Sequence, residues 1–347
     1  MRLLLLTRYE DLSAASRLRF YQYVPYLQQQ GIEIVHAPLL TNADLKRLYT
    51  EGRRGLGSTL LGYIRRTIRL MGSYDVLWIE KELFPMLPAL GEKWLRTPYV
   101  VDYDDAVFHN YDMHRSALVR RFLGTKIDEV MQHAALVVAG NKYLANRARH
   151  VGARRVEIIP TVIDLNRYSV AGTPPPPFTV GWIGSPSTSK YLHMLEPALK
   201  DVCAAGRGRL LTVGAKDSSM NGIPLENRAW AEDREVSDIQ AMHIGVMPLP
   251  DEPWERGKCG YKLIQYMACR LPVVASPVGV NAEIVEGCGF TAETLDEWRH
   301  ALLTLRDDAA LRAELGAAGR RKVEEQYTLQ VTAPRMVELL KSVAGKK

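Results

Sequence analysis

Short apolar runs rich in leucine and β-branched residues alternate with helix-length amphipathic stretches from the first residue of this chain onward, and that alternation leaves few folds open. RLLLLT is followed by helical periodicity to Gly31, then by IEIVHA, and later by DVLWIE, PYVVDY, ALVVAG and VEIIPT. Apolar runs separated by helices predict a parallel, doubly wound α/β sheet covered on both faces. Pro25 predicts a kink or break near Val24 in the first helix. The four consecutive prolines of GTPPPP (172–177) continue neither a helix nor a central strand, so they read as a linker. The alternation then restarts with FTVGWIG, a helix from Lys190 to Ala205, RLLTVG, a helix near Asp233 to Met242, IGVMPL, a helix from Gly260 to Cys269, and PVVASP. The chain therefore reads as two Rossmann-like domains, residues 1–172 and 173–330. The terminal stretch 331–347, helical around Val331 to Val343, is expected to pack back on the first domain.

At 347 residues, 47% hydrophobic and 24% charged, both halves can bury a full core. The leading apolar run stops at Arg8, too short for a signal-peptide core or a membrane span, which predicts a buried strand and a cytoplasmic location. Cys203, Cys259, Cys269 and Cys288 form no CxxC pair and no Cys/His cluster, so no metal is expected. The net charge of +6 is uneven: residues 1–172 carry 24 Lys+Arg against 17 Asp+Glu, and residues 173–347 carry 21 against 22. Within 46–72 stand Lys46, Arg47, Arg53, Arg54, Arg65, Arg66 and Arg69 against Glu51 alone. Ser58 to Met71 reads as a helix with Leu60, Leu61, Ile64, Ile68 and Met71 on one face and arginines on the other. Such a helix suits an anionic membrane surface, and it equally describes an ordinary surface helix with a solvated basic face. Nucleic acid is not expected, because no recognition motif accompanies the charge.

Two domains of this type offer ligands the carboxyl ends of their strands, and a central cleft between them is the expected site. A nicotinamide or flavin enzyme shares that layout but needs the GxGxxG fingerprint after a first strand. The first strand here leads into TRYEDLSAAS and the second domain's first strand into GWIGSPSTSK, where Gly181 and Gly184 do not complete it.

The most informative stretch is RGKCGYKLIQYMACRLPVVASPVG (256–279), in which a glycine-containing turn opens a helix that leads into a buried strand. A helix start offers backbone N–H groups and a positive dipole end to a diphosphate, and Lys258 and Lys262 add charge. MACRLPVVAS resembles the donor-site signature of family 4 glycosyltransferases, which have the two-domain GT-B fold, retain anomeric configuration and use a nucleotide sugar. In that family two acids stand eight positions apart. Here the first falls on Gly257 and the second, which binds the nucleotide ribose, on Gln265. The resemblance implies donor contacts at Gly260, Tyr261, Lys262 and Gln265, and leaves sugar recognition to amides near Cys259 and Gly260 or to Glu255. GSPSTSK resembles the family loop whose arginine and lysine hold the diphosphate: Lys190 matches the lysine, Ser185 replaces the arginine, and Gly184 precedes it.

In the first domain, PYVVDYDDAVFH puts Asp102, Asp104 and Asp105 at a strand's carboxyl end, where the family often has His-Asp in place of Asp104-Asp105. Clustered acids imply nearby donors or raised pKa values, and they could position an acceptor hydroxyl or take its proton; an Asp-rich turn capping the next helix is the plainer alternative. His109 is a second candidate on the acceptor side. Arg17 and Arg19, after a small-residue turn, could meet a phosphate or an anionic acceptor. IIPTVIDLNRY is similar to the family segment that closes the first domain, with Asp164 retained. The implied activity is transfer of a hexosyl unit from a nucleoside-diphosphate sugar to a saccharide or lipid-linked saccharide in surface polysaccharide or glycolipid synthesis, without a cofactor, with Asp104, Asp105 and Lys190 as catalytic candidates. A sugar-nucleotide epimerase on a similar scaffold and a catalytically inactive partner subunit are the alternatives.

Overall fold

A computed structural model of the chain describes every residue except 53–54, 217–218 and 346–347. Arg53 and Arg54 of the basic stretch therefore lie outside the described residues. The chain divides into two units: unit 1 gathers Met1–Val162, Gly257–Cys259 and Leu329–Lys347, and unit 2 gathers Ile163–Arg256 and Gly260–Thr328. The division falls between Val162 and Ile163, ahead of the proline run. Ile163 is already held by unit 2, its N–H donating to Tyr327 O at 3.1 Å and its backbone bridging Thr328.

Unit 1 is built on β1 (Arg2–Leu6), β2 (Glu33–His36), β3 (Val76–Glu80), β4 (Tyr99–Tyr103), β5 (Leu136–Ala139) and β6 (Val156–Ile158), all parallel in the order β2-β1-β3-β4-β5-β6. β1, β3, β4 and β5 are apolar because both faces are covered. Leu3, Leu5, Trp78, Val100 and Val138 pack with Met336, Leu340 and Val343 of the last helix, Leu329–Ala344, while Leu4, Leu6 and Val101 are buried as well. Tyr23 and Thr332 join their hydroxyls at 2.8 Å across that packing. The first helix breaks as its proline demands: Ala14–Arg19 ends, Tyr21–Tyr23 forms a single 3₁₀ turn, and Val24–Gln29 starts again with Pro25 in its first turn.

Unit 2 holds β7 (Phe178–Ile183), β8 (Gly208–Val213), β9 (Leu225–Arg228), β10 (Ile244–Met247), β11 (Val273–Ala275) and β12 (Gly289–Thr291), parallel in the order β12-β11-β10-β7-β8-β9. Successive residues feed opposite layers: Leu210 and Val246 enter one core, Leu211 and Met247 the other. The outer strands β9 (LENR) and β12 (GFT) are short and half-exposed, so their sequences lack the apolar signature of the other ten. The helix expected over Lys190–Ala205 is split into a 3₁₀ stretch, Ser189–Leu195, and an α-helix, Glu196–Cys203, whose first turn contains Pro197. β7 and β10 are neighbours whose following connections run to opposite sides of the sheet. Their carboxyl ends form the topological switch point where such sheets take ligands.

Candidate functional site

In unit 2 the loop after β7 begins with Gly184, and the glycine is required by what crosses it. A Cβ there would stand 2.6 Å from Lys262 Cε and 2.6 Å from the Trp182 ring. Lys262 thus lays its stem against the loop, its Nζ 5.3 Å from the Trp182 ring centroid. Ser185 is exposed and hydrogen-bonds Ser187 at 3.0 Å and Thr188 at 3.4 Å through its hydroxyl. Lys190 is exposed with its ammonium 5.1 Å over the Tyr191 ring.

The helix Tyr261–Ala268 starts at Gly260, which sits at φ 64°, and has no side-chain cap. The left-handed backbone and a Cβ position 2.3 Å from Ile284 Cδ1 both call for glycine. That start directs the positive end of the helix toward whatever binds there. Gln265 is buried, donating from Nε2 to the Tyr168 hydroxyl at 3.1 Å; that hydroxyl donates to Glu235 at 2.8 Å, and the other Glu235 oxygen accepts from Trp230 Nε1 at 2.8 Å. Tyr261 reaches the same hydroxyl at 3.4 Å. One of the two Gln265 amide N–H donors is thus committed inside the fold.

Glu255, on the short helix Pro253–Arg256 after β10, is buried; one carboxylate oxygen accepts from the Tyr191 hydroxyl and the other has no hydrogen-bond partner. Burial, reinforced by the bond to Glu255, raises the Tyr191 hydroxyl well above its ordinary range. Asn281 Oδ1 is a second buried atom without a partner, 3.4 Å from the Gly260 Cβ position. Glu255 was legible only as a neighbour of the family motif, and Asn281 carried no signal at all.

In unit 1 the ends of β3 and β4 lie in register, Glu80 opposite Asp102. Arg19 forks onto Asp102, Nε to Oδ1 at 2.8 Å and Nη2 to Oδ2 at 3.1 Å, and donates from Nη1 to Ile159 O at 2.8 Å. With side chains only 2% and 1% exposed, the pair cannot meet an acceptor, which corrects the expectation for both residues. Burial pushes the Asp102 carboxyl up to about 6 despite the guanidinium, and the ion pair drives Arg19 higher still than its usual range against the cost of burial. Arg17 instead stays half-buried and donates to Asp11 O at 3.1 Å and Leu12 O at 3.4 Å.

Asp104 and Asp105 remain accessible, and each has acquired a lysine: Lys81 Nζ stands 3.0 Å from Asp104 and Lys258 Nζ 3.3 Å from Asp105. Burial favours a neutral Asp104, but the Lys81 ammonium outweighs it and holds the carboxyl below its ordinary value. Lys81 takes a left-handed φ of 66°, a strained backbone for a residue with a side chain. Glu80 beside it accepts from Arg8 N at 2.7 Å and Ser16 Oγ at 2.8 Å. Glu80 and Lys81 were missed in the sequence, although charged residues closing an apolar strand were the available signal. His109 spends both ring nitrogens, on Asp112 at 2.8 Å and on the Tyr143 hydroxyl at 3.0 Å, so it does not stand in for a free acceptor-side histidine.

Lys258 therefore stands in the acidic cluster of unit 1. Asn141 grips its turn, Nδ2 donating to Gly257 O at 2.9 Å and Lys258 O at 3.0 Å while Oδ1 caps the helix Lys142–His150. Cys259 donates to Asp104 O at 3.1 Å, and a Cβ on Gly257 would meet Ala106 Cβ at 2.5 Å. No acid fits at position 257.

A model of the family described as Glycosyl transferases group 1 matches residues 177–308. A GDP-mannose-dependent monoacylated alpha-(1-6)-phosphatidylinositol monomannoside mannosyltransferase of Corynebacterium glutamicum is 31% identical over 86 residues, a stretch that spans 24% of this chain and 23% of that protein. A sucrose-phosphate synthase from Thermosynechococcus elongatus superposes with a TM-score of 0.77 at 16% identity, over 100% of both chains. The Anabaena protein HepE, solved with UDP-glucose, gives 0.74 at 16% identity, over 99% of this chain and 100% of that one. Two parallel six-stranded sheets with flanking helices, matched end to end, are the GT-B glycosyltransferase fold.

Proposed function

We propose that this chain, whose residues 177–308 are a glycosyltransferase domain of group 1, moves a sugar from a nucleoside diphosphate to an acceptor hydroxyl with retention of configuration. The observation that carries the reading is the glycine gap at the switch point of unit 2, where Gly184 lets Lys262 lie against the loop that holds Ser185 and Lys190. The acceptor oxygen bonds to the anomeric carbon as the bond from that carbon to the diphosphate breaks, and the hydroxyl proton passes to the departing phosphate oxygen. Lys262, Lys190 and the amides that open the Tyr261–Ala268 helix stabilise the charge that develops there. Glu255, with one oxygen unpartnered, takes over the sugar contact that position 257 cannot supply. Tyr261 lines the nucleoside end. Gln265 gives one amide N–H to Tyr168 and meets the ribose with what remains of its amide.

On the acceptor side we assign Asp104 and Asp105, each standing beside a lysine. The scheme calls on no metal and no nicotinamide. The acceptor is a saccharide or lipid-linked saccharide at the cytoplasmic membrane face, consistent with the phospholipid-linked substrate in the Corynebacterium protein's name.

The inactive-subunit reading draws on one observation, that Gly257 and Gln265 are structurally committed where the family places acids. Thermal shifts with UDP, GDP, ADP, CMP and NAD separate the readings, because a ligand at about 100 times its Kd adds roughly 2.7 kcal/mol. One nucleoside diphosphate is expected to raise the Tm, and Lys262→Ala and Lys190→Ala to lose that shift while folded. A rise with NAD alone, or none with any nucleotide, would overturn the proposal.

A further inference from the structure

The Leu56–Leu70 helix is turned inside out. It packs on unit 1 through Gly62, whose Cβ position lies 2.3 Å from Leu39 O, and through Arg66, which donates to Leu83 O at 2.7 Å, Ala37 O at 3.2 Å and Thr7 O. Burial pushes the Arg66 guanidinium down to about 10. Arg66 is thus an anchor and not part of a solvated basic face. The apolar ridge, which an ordinary surface helix would bury, is outside: Leu60, Leu61, Ile64 and Ile68 are exposed, Leu56 is 89% exposed, and Met71 just beyond the helix 83%.

Two more apolar segments adjoin it. Tyr63 packs edge-on against Phe84, ring centroids 5.2 Å apart, and donates to Pro85 O. From there Met86, Leu87 and Leu90 are exposed, and Trp94 is 81% exposed. Met86 N donates to the Tyr111 hydroxyl at 3.1 Å, which ties in the turn ahead of exposed Met113, Leu118 and Phe122.

Charge decides what covers this face. Between Gly55 and Thr125 no carboxylate among the described residues is exposed. The exposed charges are Arg65 and Arg69 on the helix, Lys93 and Arg96 flanking Trp94, and Arg115, Arg120 and Arg121 near Phe122. Of these Lys93 pairs with the half-buried Glu129 at 2.8 Å. A second copy would bring like charges together, whereas anionic headgroups neutralise them while acyl chains take the apolar ridge. Among the described residues no helix is long and apolar enough to cross a membrane. We infer that these three segments of unit 1 form one membrane-docking face that lies in the interfacial plane of an anionic bilayer, with Trp94 as its interfacial aromatic. The inference does not need the transferase reading.

The test is co-sedimentation of the full chain with vesicles of phosphatidylcholine alone or with added phosphatidylglycerol. Binding to the anionic vesicles, weakened by salt, is expected; Leu60→Gln with Ile64→Gln lowers it by roughly tenfold or more, since two exposed apolar side chains lose their burial in lipid. Adding vesicles shifts Trp94 emission to the blue, a change absent from Trp94→Phe. Because all three residues are exposed, the variants keep the wild-type Tm and its nucleotide shift, which separates this result from the donor site. No binding to anionic vesicles would overturn the inference. So would binding unchanged in the double variant, or light scattering that shows a dimer which the double variant dissociates.

Discussion

Replacing Arg19 by methionine removes one member of a buried pair and leaves Asp102, 1% exposed, facing the space where the fork stood. Unit charges about 4 Å apart attract by about 4 kcal/mol at an effective dielectric of about 20, and that attraction offsets the desolvation of both ions. With Arg19 gone, the Asp102 carboxylate keeps its desolvation cost and Ile159 O loses a 2.8 Å donor, so urea unfolding at pH 8 should show a loss of about 3–5 kcal/mol. Arg19→Met with Asp102→Leu should cost less than either single change, about 1–2 kcal/mol for the orphaned carbonyl and imperfect packing.

The pH dependence has a definite sign. Asp102 already sits near 6 with Arg19 present and rises further without it. An acid whose folded pKa is raised loses native stability as pH climbs from its unfolded value of about 3.9 through the folded one. The Arg19→Met penalty should therefore be smaller at pH 5 than at pH 8. Additive single costs, or a penalty independent of pH, would refute the account of Arg19 and Asp102 as a mutually compensating pair.

Other expectations follow from the same kind of reading. His243 Nδ1 accepts from Thr179 N at 3.0 Å, and burial, with Arg312 and Arg209 nearby, pushes the imidazole down to about 4. As pH falls from about 6.5 to about 4 the unfolded chain takes up a proton that the native one refuses. Wild type should then lose on the order of 2 kcal/mol relative to His243→Asn, measured by denaturant titration. Gly257→Ala puts a methyl group 2.5 Å from Ala106 Cβ and should destabilise by about 1–3 kcal/mol in thermal unfolding. All four cysteines are buried and free, with Cys259 pushed up to about 12 by burial, so a thiol reagent should label none in the native protein and all after denaturation.

The strands with two covered faces were legible because burial on both sides leaves a nearly unbroken apolar run. β9 and β12 were not, since LENR and GFT at sheet edges need no such composition. GTPPPP marked a stiff local backbone, but what assigns residue 163 is its pairing with Tyr327 and Thr328, which local composition does not report. The Leu56–Leu70 helix was legible as an amphipathic helix and its orientation was not. Hydrophobic periodicity assumes the apolar side turns inward, and here a glycine and an arginine bonded to carbonyls hold the inner face. On the donor side, the sequence pointed to Gly184 and Lys262, which meet. The ion pair of Lys258 with Asp105 was not legible, because it spans 153 positions and depends on the turn that Asn141 holds. Arg19 and Asp102 looked like separate ligands because their pairing spans 83 positions, which no motif spacing encodes.

The last helix, Leu329–Ala344, supplies Met336, Leu340 and Val343 to the packing around β1, β3 and β4. Unit 2 lies in the chain between the strands of unit 1 and this helix, so during synthesis the sheet of unit 1 must wait for residues 329–344 before its hydrophobic layer closes. Unit 2 has no such dependence, since Ile163–Arg256 and Gly260–Thr328 have all emerged by then. Of the two units, the one whose strands come second in the chain is thus the first to have all its parts. A stop codon placed shortly after Thr328 would expose unit 1, and not unit 2, to proteases.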